Sequence, residues 1–127
     1  MSDNTAEKQA IQQAIMDYYH EGHARHDAQY YQPILHPEWR FMILDDAGQL
    51  RIANRDEYCS WYDPEKRDPA LEWETEFHSI EVVGNLAAVK LRLECQAVRY
   101  IDFFQMMKID GTWWIVNKMS HGENKTG

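Results

Sequence analysis

The C-terminal half of this chain leaves it few ways to fold. From Leu71 onward the residues alternate as long strands do, broken only by two turn dipeptides, Gly84-Asn85 and Asp110-Gly111. Both dipeptides hold residues that tolerate positive φ, as two-residue hairpins require. The spacing predicts one hairpin from Glu72–Val83 with Leu86–Ala97, and a second from Arg99–Ile109 with Thr112–Ser120. Strands of about ten residues twist, so the sheet curls and helices can pack only across its concave side.

The N-terminal half supplies those helices. Ala10, Ile11, Ala14, Ile15, Tyr18, Tyr19 and Gly22 recur at three- and four-residue spacing, which predicts a helix over 5–24 capped by Asn4 or Thr5. Asp27 starts a second helix over Ala28–Leu35, and His36-Pro37 stops it. Trp39–Leu44 reads as a strand, Asp45 to Gly48 as a turn and Leu50–Ala53 as the strand's short partner. Asn54 caps a third helix over Arg55–Tyr62, ended by Asp63-Pro64. The expected fold is α+β: a strongly bent antiparallel sheet against three helices, in the order α-α-β-β-α-β-β-β-β. It is read as one domain, 1–127, with flexible ends at 1–4 and 122–127.

Twenty-one acidic against 13 basic residues give a net charge of −8, which argues against duplex nucleic acid and against an anionic membrane face. The N-terminus has no basic and apolar leader, and no apolar run approaches the roughly 20 residues that span a bilayer. Cys59 and Cys95 form no CxxC pair and read as reduced thiols, so the expected location is cytoplasmic. His20, Glu21, His23 and His26 suggest a metal, but the three histidines do not converge on a helix and there is no HExxH. They are read as the solvated end of the first helix. No metal and no cofactor is expected. No glycine-rich phosphate loop, GxSxG or Cys-His nucleophile is present either.

The hairpin registers say what the concave face carries. With Val83 opposite Leu86, one face holds Val82, Ile80, His78, Glu76 and Glu74 against Ala87, Val89, Leu91, Leu93 and Cys95. That face is apolar near the turn and is expected to be buried, which aims His78 and Glu76 into a cavity. In the second hairpin both faces are mixed. The face of Phe104 and Asp102, opposite Trp113, Ile115, Asn117 and Met119, is taken as the inner one for its Trp113-Ile115 pair. The other face keeps Phe103, Met107 and Trp114, enough apolar area for a second subunit, so a homodimer through the outer sheet face is expected. His78, Asp102 and Tyr19 are the candidate catalytic residues, with Tyr18 or Tyr19 facing inward from the helix. Tyr18, Trp39, Phe41, Trp61 and Glu76 are candidate ligand contacts. Leu93, Phe104, Asn117 and Met119 complete the expected lining of an apolar pocket with a few converging polar groups. Trp61 and Tyr62, with Tyr58, either cap the open end or anchor the third helix.

Several of these residues carry a resemblance: Tyr19-x-x-Gly22, His36-Pro37, Asp102-Phe103-Phe104 and the run from Asp110 to Lys118. From Ile11 to Met119 the chain resembles the nuclear transport factor 2-like superfamily, and within it the bacterial group called putative lumazine-binding proteins. The resemblance implies a cone-shaped half-barrel that pairs through its sheet. The superfamily holds ketosteroid isomerases, scytalone dehydratases, polyketide cyclases and pure binding proteins, so fold alone does not select a function. Ketosteroid isomerases use a helix-one tyrosine and a protonated aspartate as an oxyanion hole. Tyr18 or Tyr19 and Asp102 stand at comparable places, whereas the isomerase base has no counterpart beyond Glu38 or His36. Dehydratases of this fold use histidine, aspartate and tyrosine, which His78 and Tyr19 match in part. Three readings follow. The first is a binding protein for an apolar or aromatic small molecule whose polar group meets Asp102, His78 and Tyr19. The second is a cofactor-free dehydratase or isomerase with His78 as base and Asp102 or Tyr19 as acid or oxyanion donor, which requires His78 and Asp102 to line one cavity. The third is a dimeric protein-interaction module without turnover.

Overall fold

A computed structural model describes residues 4–125. Both C-terminal turns form with the backbone their residues favour. Gly84 alone takes positive φ in the first, at 60°, and Asp110 and Gly111 take 50° and 82° in the second, the φ signs of II′ and I′ turns. They join β3 (Glu74–Val83) to β4 (Leu86–Glu94) and β5 (Val98–Ile109) to β6 (Thr112–Asn124). The remaining strands are β1 (Leu35–Leu44) and β2 (Leu50–Asn54). All six make one sheet in the order β2-β1-β6-β5-β4-β3. Every pairing is antiparallel except β1 with β6, which is parallel.

The long helix runs over residues 5–25 in three stretches: α1 (Thr5–Ala14), a π-helical segment (Ile15–His20) and α2 (Glu21–Arg25). Its apolar stripe is buried as the spacing predicts, with Ile11, Ile15 and Tyr19 all fully covered. Asn4 does not cap it through its side chain; Asn4 Nδ2 donates instead to the Val82 carbonyl at 3.1 Å and pins the helix start to β3. Glu7 ties the same end to β5 and β6, accepting from Lys108 Nζ and Trp113 Nε1. The expected second helix is a single 3₁₀ turn, Ala28–Tyr31, capped by Asp27, and β1 begins earlier than expected and takes in His36-Pro37. The third helix, α3, is Arg55–Cys59 with Asn54 as its cap. β6 reaches Asn124, paired with Val98, so the chain is strand where a flexible end was expected from 122. Of the other expected end, Asn4 is ordered against β3, and residues 1–3 lie outside those described.

Two bulges decide what faces the helix. In β3 the register follows the predicted pairing from Val83 to Ser79 and then slips by one at His78. Without that slip Glu74, Glu76 and His78 would enter the apolar face; with it Phe77 and Thr75 turn inward instead. Burying unpaired carboxylates costs several kcal/mol each, so this bulge relieves a penalty. In β6 the register holds from Thr112 to Ile115 and slips at Val116. This second bulge does the reverse: it turns Asn117 and Met119 outward and brings Lys118 inside, opposite Phe104.

Candidate functional site

The centre of the concave face is polar, and it is enclosed. Asp102 and Lys118 are both buried there, at 1% and 4% exposure, among Tyr19, Phe41, Tyr58 and Phe104. Tyr19, from the π-helical segment, donates to Asp102 Oδ2 at 3.0 Å, and Ser120 Oγ donates to Oδ1 at 2.5 Å. π segments displace a helix face by one residue and are frequent at functional sites; here the segment carries Tyr19.

Lys118 Nζ donates to Tyr58 OH at 3.0 Å, its only hydrogen-bond partner among the described residues. The rest of the ammonium lies over aromatic faces: the Phe41 ring at 4.5 Å, Tyr58 at 4.7 Å and Tyr19 at 4.9 Å. Burial lowers the Lys118 pKa from 10.5 to about 8, with the Asp102 carboxylate pulling the other way.

A histidine completes the network. His23, also buried, has Nδ1 at 3.2 Å from the Tyr19 carbonyl and 2.8 Å from Tyr31 OH, and Nε2 at 3.3 Å from both Tyr58 OH and Tyr62 OH. The carbonyl can only accept, so the proton belongs on Nδ1 and Nε2 is an acceptor. Tyr58 OH accepts from Lys118 and from Tyr62 at 3.0 Å, so its own proton points to Nε2. The chain Lys118–Tyr58–His23 is therefore a directed relay. Burial, then the Lys118 charge, hold the His23 pKa well below its ordinary value.

The predicted residues divide between the two faces. Tyr19, Asp102, Trp39, Phe41, Leu93 and Phe104 are inside and buried. Of the two adjacent tyrosines it is Tyr19 that faces inward, while Tyr18 is half-buried at the core's edge. Trp61 is 52% exposed beside Tyr58. The inward placement of four residues is corrected. His78 and Glu76 pair with each other on the outer side at 3.1 Å, where Arg92 bridges Glu74 and Glu76. Asn117 bonds outward to Gln105 and Met119 is 48% exposed, both because of the bulge at Val116. His78 and Asp102 thus lie on opposite faces, and the enzyme reading with His78 as base fails on its own condition. His23 is buried rather than part of a solvated helix end. No cluster of three metal-ligating side chains exists among the described residues.

Lys118 and His23 are the inner polar groups that sequence reasoning missed. A surface groove of about 550 Å³ is lined by Phe41, Ile43, Leu50–Ala53, Glu57 and Trp61, and Lys118 and His23 are not part of its lining. Phe41 is shared between the two: it lines the groove, and its ring lies 4.5 Å from the Lys118 ammonium. Close by, Trp39 packs its ring on Tyr58 at 4.9 Å, and its buried Nε1 has no partner among the described residues.

A strongly bent sheet wrapped on one long helix is the NTF2-like fold, and solved structures agree. An NTF2-like protein of unknown function from Shewanella baltica OS155 superposes with a TM-score of 0.86 at 21% identity, covering 97% of this chain and 98% of that one. Another, from Silicibacter pomeroyi DSS-3, gives 0.81 at 21% identity, covering 97% and 100%. A third, from Methylobacillus flagellatus KT, gives 0.79 at 19%, covering 94% of each. No curated protein matches the chain in sequence. The family model described as putative lumazine-binding matches residues 6–121, and the chain belongs to that family.

Proposed function

We propose that the protein binds a small, flat, ring-bearing molecule in the Phe41–Trp61 groove, and that a carbonyl or anionic group of the ligand reaches the enclosed Lys118 when the Phe41 ring between them moves aside. One observation carries the reading. A fully enclosed ammonium that donates a single hydrogen bond has donor capacity left over, and a bulge that brings it inside is hard to explain as packing. The buried, unpartnered Trp39 Nε1, on a ring packed against Tyr58, is a second donor with capacity left over in the same layer. The family's description agrees in kind, since lumazine is a flat bicycle that carries carbonyl acceptors. Tyr19 and Asp102 hold the Lys118 environment in this reading.

The test is a titration with lumazine, and separately with benzoate, followed through tryptophan fluorescence. A hydrogen bond to a charged group is worth about 1.5–3 kcal/mol, so Lys118→Met should weaken binding by roughly ten- to a hundredfold while circular dichroism is unchanged. Lys118→Arg should keep most of the benzoate affinity. Absence of binding of either compound, or equal binding to Lys118→Met, would contradict the proposal.

The outer face supports a homodimer as the working form. Phe103, Met107 and Met119 are 49%, 37% and 48% exposed, and Phe103 and Met119 are direct cross-strand neighbours there. No helix of the described residues is long and apolar enough to cross a membrane, and Cys59 and Cys95 are free thiols, which fits a reducing, cytoplasmic setting.

A further inference from the structure

The two edges of the sheet are finished in different ways. At one edge, β3 is bulged at His78 and carries Glu74, Glu76 and Glu81. It is also tied to the long helix through Asn4 and through His20, whose Nδ1 lies 2.8 Å from Thr75 Oγ1. Bulges, charges and a covering helix are the means by which an edge strand is kept from pairing further. At the other edge, β2 is regular and apolar. It holds register with β1 from Asn54 to Leu50 without a slip and has neither proline nor lysine. Its one charged side chain, Arg51, is held by Asp45 at 2.8 Å. Leu50 and Ile52, and Leu44 opposite Leu50 on β1, are each more than half exposed.

The register says which backbone groups this edge presents. Asp45 N donates to the Gln49 carbonyl at 2.9 Å, so that opposed pair is hydrogen-bonded. By alternation Ile43–Arg51 and Phe41–Ala53 are the next hydrogen-bonded pairs. The N–H and C=O groups of Leu50 and Ile52 therefore point away from β1, and no strand among the described residues pairs with them.

We propose that β2 takes up an extended peptide segment as an added strand, one in which apolar and basic residues alternate. The free backbone groups of Leu50 and Ile52 supply the ladder, and their side chains give the apolar residues of the segment cross-strand neighbours. The preference for basic residues comes from two grooves that share Leu50. The Phe41–Trp61 groove holds Glu57, beyond one end of β2. A second groove, of about 600 Å³, is lined by Leu44, Leu50 and Met119 and holds Asp46, beyond the other end. Neither carboxylate has an ion pair among the described residues, whereas Asp45 is neutralised by Arg51. The same charges decide against a second copy. Pairing β2 with β2 across a two-fold axis would bring Asp46 of each chain toward Glu57 of the other, in a molecule already at −8. The proposal does not rest on a ligand near Lys118.

The test adds a short peptide of alternating lysine and valine to the intact, nitrogen-15-labelled protein and follows amide hydrogen exchange. The Leu50 and Ile52 amides should exchange on the order of tenfold more slowly with the peptide bound, and those of β3 should not change. The matching glutamate–valine peptide should bind at least about tenfold more weakly. Ile52→Pro removes an outward donor and spares the β1 ladder, so it should weaken the lysine–valine peptide by about tenfold. Ile52→Lys should weaken it as well, through charge, and decides the matter if circular dichroism shows that the proline variant is unfolded. Absence of binding, equal binding of the two peptides, protection outside β2, or undiminished binding to Ile52→Lys would overturn the proposal. Protection of Leu50 and Ile52 that grows with protein concentration in the absence of peptide would place a second copy on the edge and overturn it too.

Discussion

Lys118 is the enclosed cation of the concave face, and its protonation is linked to stability. Its folded pKa of about 8 lies below the unfolded lysine value of about 10.4, so between those limits the unfolded chain binds more protons. Stability therefore rises with pH across that window, by on the order of 3 kcal/mol for a fully buried group. The tyrosines act in the opposite sense. Burial raises Tyr62 to about 12, and Tyr19, Tyr31 and Tyr58 are also raised, so the unfolded chain loses those protons first and stability falls above about pH 10. Urea midpoints at constant ionic strength should climb from pH 8 to a maximum near pH 10 and then drop. Lys118→Met should flatten the climb and keep the drop; a wild-type profile that is flat from pH 8 to 10 would show that the lysine is not enclosed.

At the scale of elements, register was partly legible in the sequence. The apolar residues leading into and along the third strand change parity, from Trp73 and Phe77 to Ile80 and Val82, and that switch marks the bulge at His78. The sixth strand offers no such mark, because Trp113 and Ile115 alternate with the equally apolar Trp114 and Val116. The slip at Val116 is therefore set by tertiary contacts, and it carries Lys118 inward unannounced. The inward turn of Asp102 and Phe104 was readable from the Trp113-Ile115 pair opposite them, and their strand keeps one register with β4 throughout. The helical tyrosines were narrowed to two residues, a difference that the π segment settles in favour of Tyr19. His23 was misread because its partners Tyr31, Tyr58 and Tyr62 come from other segments.

The junction of α2 with the 3₁₀ turn can be tested separately. A Cβ on Gly22 would stand 2.3 Å from Tyr31 Cε1, and Tyr31 is fully buried against His23. Gly22→Ala should gain about 1 kcal/mol of helix propensity and lose more through overpacking, for a net loss of roughly 1–2 kcal/mol. Thermal denaturation measures it, and a stabilised variant would mean that Tyr31 does not pack on the helix.

For the whole molecule, the sheet separates two tasks. Its concave face encloses Asp102, Lys118 and His23, while its convex face presents Phe103, Met107 and Met119. An apolar convex face suits self-association, and Phe103→Lys combined with Met119→Glu should convert a dimer into a monomer in light scattering. A wild type that is monomeric at high concentration would remove the dimer from the account. The proposed binding rests on Lys118, and the most direct measurement is its own titration. Nuclear magnetic resonance of the Lys118 side chain, assigned by comparison with Lys118→Arg, should show a midpoint near 8 that rises when benzoate is added. A midpoint at the ordinary lysine value of about 10.4, unmoved by benzoate, would mean that Lys118 is a solvated surface residue and would contradict the account at its centre.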